Sequence, residues 1–210
     1  MRVLVFDTET SGLPTEKNPS IYETQKWPYI IQLSFIVYNL DTNILETLVN
    51  DYIKINNNVI ISEESTKIHN ITREMTEKGI SITDALIKFK NYANRCDILV
   101  AHNISFDKQM LYVEGIRNNI KINIMSKTLF CTMKNSVEMC KIEKIDSNGE
   151  KFFKYPSLTE LYYYLFKINP KNTHNALNDI LLCLRCFCKI KYDIDITKNR
   201  DIRRLIRECY

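Results

Sequence analysis

The stretch Val3-Leu4-Val5-Phe6-Asp7-Thr8-Glu9-Thr10-Ser11-Gly12 decides how the chain is read. Its apolar, partly β-branched start reads as a strand buried on both faces, of the kind found inside an α/β sheet. Gly12 and Pro14 end the run. Alternation along a strand sends Val3, Val5, Asp7 and Glu9 to one side and Leu4, Phe6 and Thr8 to the other. Asp7 and Glu9 therefore leave the same face, about 6.5–7 Å apart along the strand. Two like charges at a buried strand end are costly unless something neutralises them. A hard divalent cation, which takes carboxylate oxygens, is one neutraliser. A pair of solvated acids in a turn is the alternative on these residues alone.

Outward from that strand, residues 14–28 form a polar loop rich in turn formers. Residues 29–39 alternate Ile31, Leu33, Phe35 and Val37 with Gln32 and Ser34 and read as a second strand, and residues 45–55 as a third. Three strands with short links predict an antiparallel meander. Helices follow. One spans 62–69, and a second opens on the Ser81/Asp84 capping box with an apolar stripe through Leu86 and Phe89. The apolar run 98–101 predicts a strand, and Phe106, Met110 and Val113 a helix stopped by Gly115. A fifth strand is expected at 128–132, an exposed inserted hairpin or loop at 141–155, and a helix from the Ser157/Glu160 box through Phe166. The last two helices are expected at 175–191 and 201–209. The order implies an α/β fold with a mixed five-stranded sheet, antiparallel first and parallel after, flanked by helices in a single domain over residues 1–210.

Composition sets outer limits. Hydrophobic residues at 45% and charged residues at 26% of 210 are ordinary globular values. A net charge of +4 permits a polyanionic partner without demanding one. No stretch approaches the ~20 apolar residues that span a bilayer, so no membrane partner is expected. Seven cysteines without a secretory signal point to free thiols in a reducing, intracellular compartment, cytoplasmic or nuclear. Cys183, Cys186 and Cys188 share one helix with no second ligand pair at metal spacing, so they read as buried thiols rather than a zinc site.

Two further polar clusters carry chemistry. Ala101-His102-Asn103-Ile104-Ser105-Phe106-Asp107 puts an acid just beyond the carboxyl end of a strand, where ligands gather in open α/β sheets. His174-Asn175-Ala176-Leu177-Asn178-Asp179 puts another in the second turn of a long apolar helix. Either acid taken singly has a structural explanation at a helix start.

Taken together and in this order, the three clusters resemble the DnaQ-like, or DEDDh, exonucleases of the ribonuclease H-like fold. The resemblance spans nearly the whole chain. It implies that Asp7, Glu9, Asp107 and Asp179 hold two Mg²⁺ or Mn²⁺ ions, Asp107 through a water ligand, with His174 as general base. It further implies a substrate pocket from Thr8, Thr10, Leu13, His69, Asn103 and Phe106. The expected activity is metal-dependent 3′→5′ release of nucleoside 5′-monophosphates from single-stranded 3′ ends, DNA favoured. An RNA-trimming enzyme of the ribonuclease T kind shares that chemistry, and a catalytically silent polymerase-associated module shares the fold. A polymerase or a replication or repair complex is the implied protein partner, and the oligomeric state is left open. Arg200, Arg203, Arg204 and Arg207 fall on one face of the last helix, either as a solvated surface or as a track for phosphates.

Overall fold

In this computed structural model, residues 1–171, 175–207 and 209 are described. The chain runs β1 (Arg2–Thr10), β2 (Ile30–Asn39), β3 (Ile44–Tyr52), α1 (Glu63–His69), α2 (Arg73–Glu77), α3 (Ile82–Ala93), β4 (Ile98–Ala101) and α4 (Ile104–Arg117). It continues through β5 (Thr128–Cys131), α5 (Val137–Cys140), β6 (Glu143–Ile145), β7 (Lys151–Phe153), α6 (Leu158–Phe166), α7 (Ala176–Tyr192) and α8 (Arg200–Arg207). Five strands form a mixed sheet in the order β3-β2-β1-β4-β5. The β1–β2 and β2–β3 pairs are antiparallel, and β1–β4 and β4–β5 parallel, as the order of elements implied.

β1 lies at the centre, and its alternation divides the interior in two. Leu4 and Phe6 pack beneath α3 and α4, where Phe89 meets the Phe6 ring edge-on at 5.2 Å. Val3 and Val5 pack on the other face against Ile180, Leu184 and Phe187 of α7. All four β1 side chains are fully buried, which is why no polar residue interrupts them. Ser157 and Glu160 form the expected capping box at α6. Tyr162 of that helix is buried while Tyr163 and Tyr164 reach solvent. Arg185, nearly buried on α7, grips Asp195 through two hydrogen bonds of 2.8 and 2.9 Å.

Some boundaries differ from the sequence reading. α4 does not stop at Gly115 but runs on to Arg117. A Cβ at Gly115 would lie 2.6 Å from the Ile120 carbonyl oxygen, so the glycine serves the close return of the chain over the helix rather than its end. β3 ends at Tyr52, where the Tyr52 carbonyl accepts the Ile80 N–H and the Lys54 N–H donates to the Ile80 carbonyl. Residues 141–155 form an exposed two-stranded ribbon of β6 and β7. α8 begins at Arg200, since the Asn199 side chain accepts the Asp201 and Ile202 N–H groups. No helix among the described residues is long and apolar enough to cross a membrane.

Candidate active site

β1 carries its two acids inside the strand rather than beyond it, which holds both side chains to the face that α7 covers. Asp179, in the first turn of α7, meets them there. One carboxylate oxygen from each of Asp7, Glu9 and Asp179 lies within 4.8 Å of the others. Burial pushes the Asp7 carboxyl up to about 7. It pushes Glu9 up to about 9, with the negative charges of Asp7, Asp179 and Asp107 adding to the effect. No lysine or arginine enters the balance at Asp7, Glu9 or Asp107. Three convergent hard oxygen donors, with no cation in the balance at Asp7 or Glu9, fit a divalent cation.

Asp107 reaches the same strand end from the opposite face. It sits in the first turn of α4, and its Oδ1 accepts the Thr8 N–H at 3.1 Å and the Thr8 hydroxyl at 2.8 Å. Burial and the charge of Asp7 raise its carboxyl well above the usual range, against the pull of the Thr8 donors. The structure thus brings Asp107 beside the cluster, tied to the backbone of β1, while the tight triad consists of Asp7, Glu9 and Asp179.

Sequence reasoning missed the floor beneath the triad. Antiparallel pairing sets Asp7 opposite Ser34 and Glu9 opposite Gln32, both fully buried. The Asn50 Oδ1 accepts from Gln32 Nε2 at 2.7 Å and from the Ser34 hydroxyl at 2.6 Å. The signal was the polar half of the β2 alternation, at the two positions where a buried strand would otherwise carry apolar side chains.

A groove of about 420 Å³ opens beside the acids, on the α1 and α4 side of the sheet. Thr8, Glu9, Thr10, Leu13, His69 and Phe106 line it, with Gly12 and Ile68. Leu13 is 79% exposed, and Ile68 also reaches solvent, so an apolar rim stands free above buried polar groups. His69 Nδ1 accepts the Ile71 N–H at 2.9 Å, and burial lowers its basicity, so a neutral ring both shapes the α1 end and faces the groove. Asn103 is not in this lining. It sits at the start of α4 with φ 72°, the left-handed region that asparagine tolerates. His102, held by burial at about 4, bonds the Thr132 hydroxyl and the Pro156 carbonyl and so ties β4, β5 and α6 together at this edge. His174 lies outside the described residues. Cys183, Cys186 and Cys188 are buried in the apolar layer beneath α7, and burial pushes all three thiols up.

A family model described as "Exonuclease" matches residues 4–187. Among curated proteins, DNA polymerase III subunit epsilon of Buchnera aphidicola subsp. Schizaphis graminum is 27% identical over 86% of this chain and 69% of its own length. DNA polymerase III PolC-type of Mycoplasmopsis pulmonis is 29% identical over 46% of this chain, and that match spans only 8% of the polymerase. Among solved structures, the nuclease domain of 3′hExo, a DEDDh family member bound to rAMP, superposes with a TM-score of 0.62 at 15% identity. That superposition covers 99% of this chain and 93% of the other, and shows the shared fold. A family match over most of the chain, with three acids gathered at the end of the central strand, gives one conclusion: the chain belongs to the exonuclease family and carries a DnaQ-like exonuclease domain.

Proposed function

We propose that the protein removes nucleotides one at a time from single-stranded 3′ ends, with DNA as the preferred substrate and nucleoside 5′-monophosphates as products. The observation that carries this reading is the Asp7–Glu9–Asp179 cluster opening onto the adjoining groove. In this reading residues 1–210 act as one domain. Asp7, Glu9 and Asp179 hold divalent ions, with Mg²⁺ or Mn²⁺ as the physiological pair, and Asp107 completes the set from the other face. When bound, such ions neutralise the acids, activate water and stabilise the leaving 3′ oxygen of an in-line displacement. His174, next in sequence to the α7 cap Asn175, accepts the proton of the attacking water. Thr8, Thr10, Leu13, His69 and Phe106 receive the terminal nucleotide, the exposed leucine and the phenylalanine against its base. The preference for DNA rests on the relatives named as DNA polymerase III components, which also point to a polymerase as partner and an intracellular setting. The neighbour bound to rAMP supports a second reading, RNA trimming by the same chemistry.

One experiment tests the proposal. A 5′-labelled strand, made as DNA and as RNA, is incubated with Mg²⁺, Mn²⁺ or excess chelator. A ladder shortening from the 3′ end, faster on DNA and abolished by chelator, is expected. Full activity in chelator overturns the metal assignment, and faster RNA cleavage replaces the DNA preference with the second reading.

A further inference from the structure

The arginines of this protein fall into two groups. Most of those in the body are engaged by the fold. Arg2 pairs with Glu46, Arg117 with Glu114 and Arg185 with Asp195. Arg73 donates to the carbonyls of Asn56 and Val59. On α8, Arg203 behaves in the same way, donating to the Thr197 and Lys198 carbonyls. Arg200, Arg204 and Arg207 do not. All three are exposed, and among the described residues no carboxylate lies within ion-pairing distance of any of them.

Their arrangement follows from the packing of α8. Ile202 and Ile206 are fully buried against the α7 layer, with Leu205 partly buried beside them. At 100° per residue, burying that stripe sends Arg200, Arg203, Arg204 and Arg207 out together. They enclose a shallow concavity of about 460 Å³, in which Asp201 is the one acid. Like charges gathered this way repel one another unless a counter-charge arrives.

The direction of the row matters. α7 starts at the acid cluster and ends near the chain's first residue, where the Tyr192 hydroxyl meets the Met1 sulfur. The chain then turns beside the β2–β3 hairpin, where the Asn199 side chain donates to the Asn43 carbonyl. From there α8 returns along α7. The Cys209 carbonyl, two positions past the helix, accepts the Lys171 N–H at 2.7 Å. Lys171 lies four positions before Asn175, the cap of α7, so the chain just past α8 is bonded to a residue that closely precedes that cap in sequence.

We propose that α8 is a docking track for the sugar–phosphate backbone of the substrate strand upstream of its 3′ end. This rests on the proposed function and extends it, since the row adds length to the site without adding chemistry. An eight-residue helix is about 12 Å long, a length over which one strand at duplex spacing presents about three or four phosphates. Arginine suits the task because its fork meets phosphate oxygens in pairs and stays charged at any working pH. Contacts of this kind are blind to base identity, as an enzyme that trims strands of any sequence requires.

The test is equilibrium binding of 5′-labelled oligothymidylate to the full chain in chelator, which separates binding from cleavage. Two lengths are compared, about 4 and about 20 nucleotides, across a salt series. The variant replaces Arg200, Arg204 and Arg207 by Gln and leaves the structurally engaged Arg203 in place. Each lost phosphate contact removes about 0.7 from the slope of log affinity against log salt, so the slope on the long strand should fall by roughly 1–2 units. The affinity preference for the long strand should shrink with it. A second variant with Lys at the same three positions keeps the charge and should keep most of the slope. An unchanged slope in the Gln variant, with its melting curve intact, overturns the proposal. So does an equal loss in the Lys variant, which would mark a structural rather than an electrostatic effect. A loss of binding to anionic lipid vesicles or to an acidic peptide, with strand binding untouched, assigns the row to another partner and overturns it as well. Failure of the strand to be cleaved bears on the proposed function alone.

Discussion

Two acids on one helix have opposite fates. Asp107 and Glu114 both lie on α4, two turns apart, and each is 3% exposed. Glu114 has a cation. Arg117 pairs with it at 2.9 Å, and the same Glu114 oxygen accepts the Ile30 N–H. Arg117 goes on to donate to the carbonyls of Thr24, Trp27 and Pro28 and stacks 3.9 Å over the Tyr29 ring. Around Glu114 the charge is consumed in fastening the loop ahead of β2 to α4. Asp107 has the donors of Thr8 and its own backbone N–H but no cation, and the charge that acts on it is another acid, Asp7. A buried acid with its own cation is architecture, and a buried acid among acids waits for a cation from outside.

Four substitutions and conditions press on that contrast. The largest effect is expected from Asp107→Asn, which keeps an oxygen for Thr8 but removes the charge. Single-turnover cleavage should drop about 10–100-fold, while the metal-free variant melts above wild type at pH 8. A variant that is fully active, or that melts lower, breaks the contrast at this end. Arg117→Met should leave Glu114 buried and unpaired at a cost of about 3–5 kcal/mol, read by urea denaturation. Near-wild-type stability would show that the pair fastens nothing.

The third effect is of pH. Asp7 and Glu9 have ordinary values of 3.8 and 4.5, and burial raises them to about 7 and about 9 in the folded chain. The folded state therefore binds more protons than the unfolded one across that window, and stability falls as pH rises through it. Melting temperature without metal should decline from pH 5 to pH 9, and Mg²⁺ should raise it more at pH 8 than at pH 5. A metal-free melting temperature that climbs over this range would contradict the burial of uncompensated acids. The smallest effect belongs to the double variant Glu114→Gln, Arg117→Met. Removing both charges should recover most of the loss caused by Arg117→Met alone, because the desolvation penalty goes with them. No recovery in urea denaturation would place the cost in the lost carbonyl contacts of Arg117 instead.

The sequence showed the acids before it showed their setting. Alternation alone placed Asp7 and Glu9 on one face of β1 and Thr8 on the other, because a strand's period is fixed by its backbone. The Ser81 cap and the Ser157 capping box were legible for the same reason, being local. At Ser81 the reciprocal bond of a full box is missing, since Asp84 accepts the Ser81 hydroxyl instead. The Glu114–Arg117 fastening was not, since its partners lie more than 80 positions away in sequence. Nor was the true role of Gly115, which depends on where Ile120 returns. Gln32 and Ser34 were visible as polar residues in a strand, but only the β1–β2 register shows that they underlie the triad. Thr8, Thr10, Leu13, His69 and Phe106, singled out in the sequence, share one groove, while Asn103 stands outside its lining at the start of α4.

The position of β1 in the sheet also has a kinetic consequence. Its antiparallel partner β2 follows closely in sequence, but its parallel partner β4 must come from residues 98–100, and Asp179 from farther still. Contacts between distant segments form slowly, because loop closure must precede them. The repulsion that Asp179 adds to that of Asp7 and Glu9 is therefore met only as α7 docks. A divalent ion has no assembled site to bind before that moment. It acts on the protein as a ligand of the finished fold, slowing its opening and deepening its stability by mass action, with the logarithm of its concentration relative to its dissociation constant.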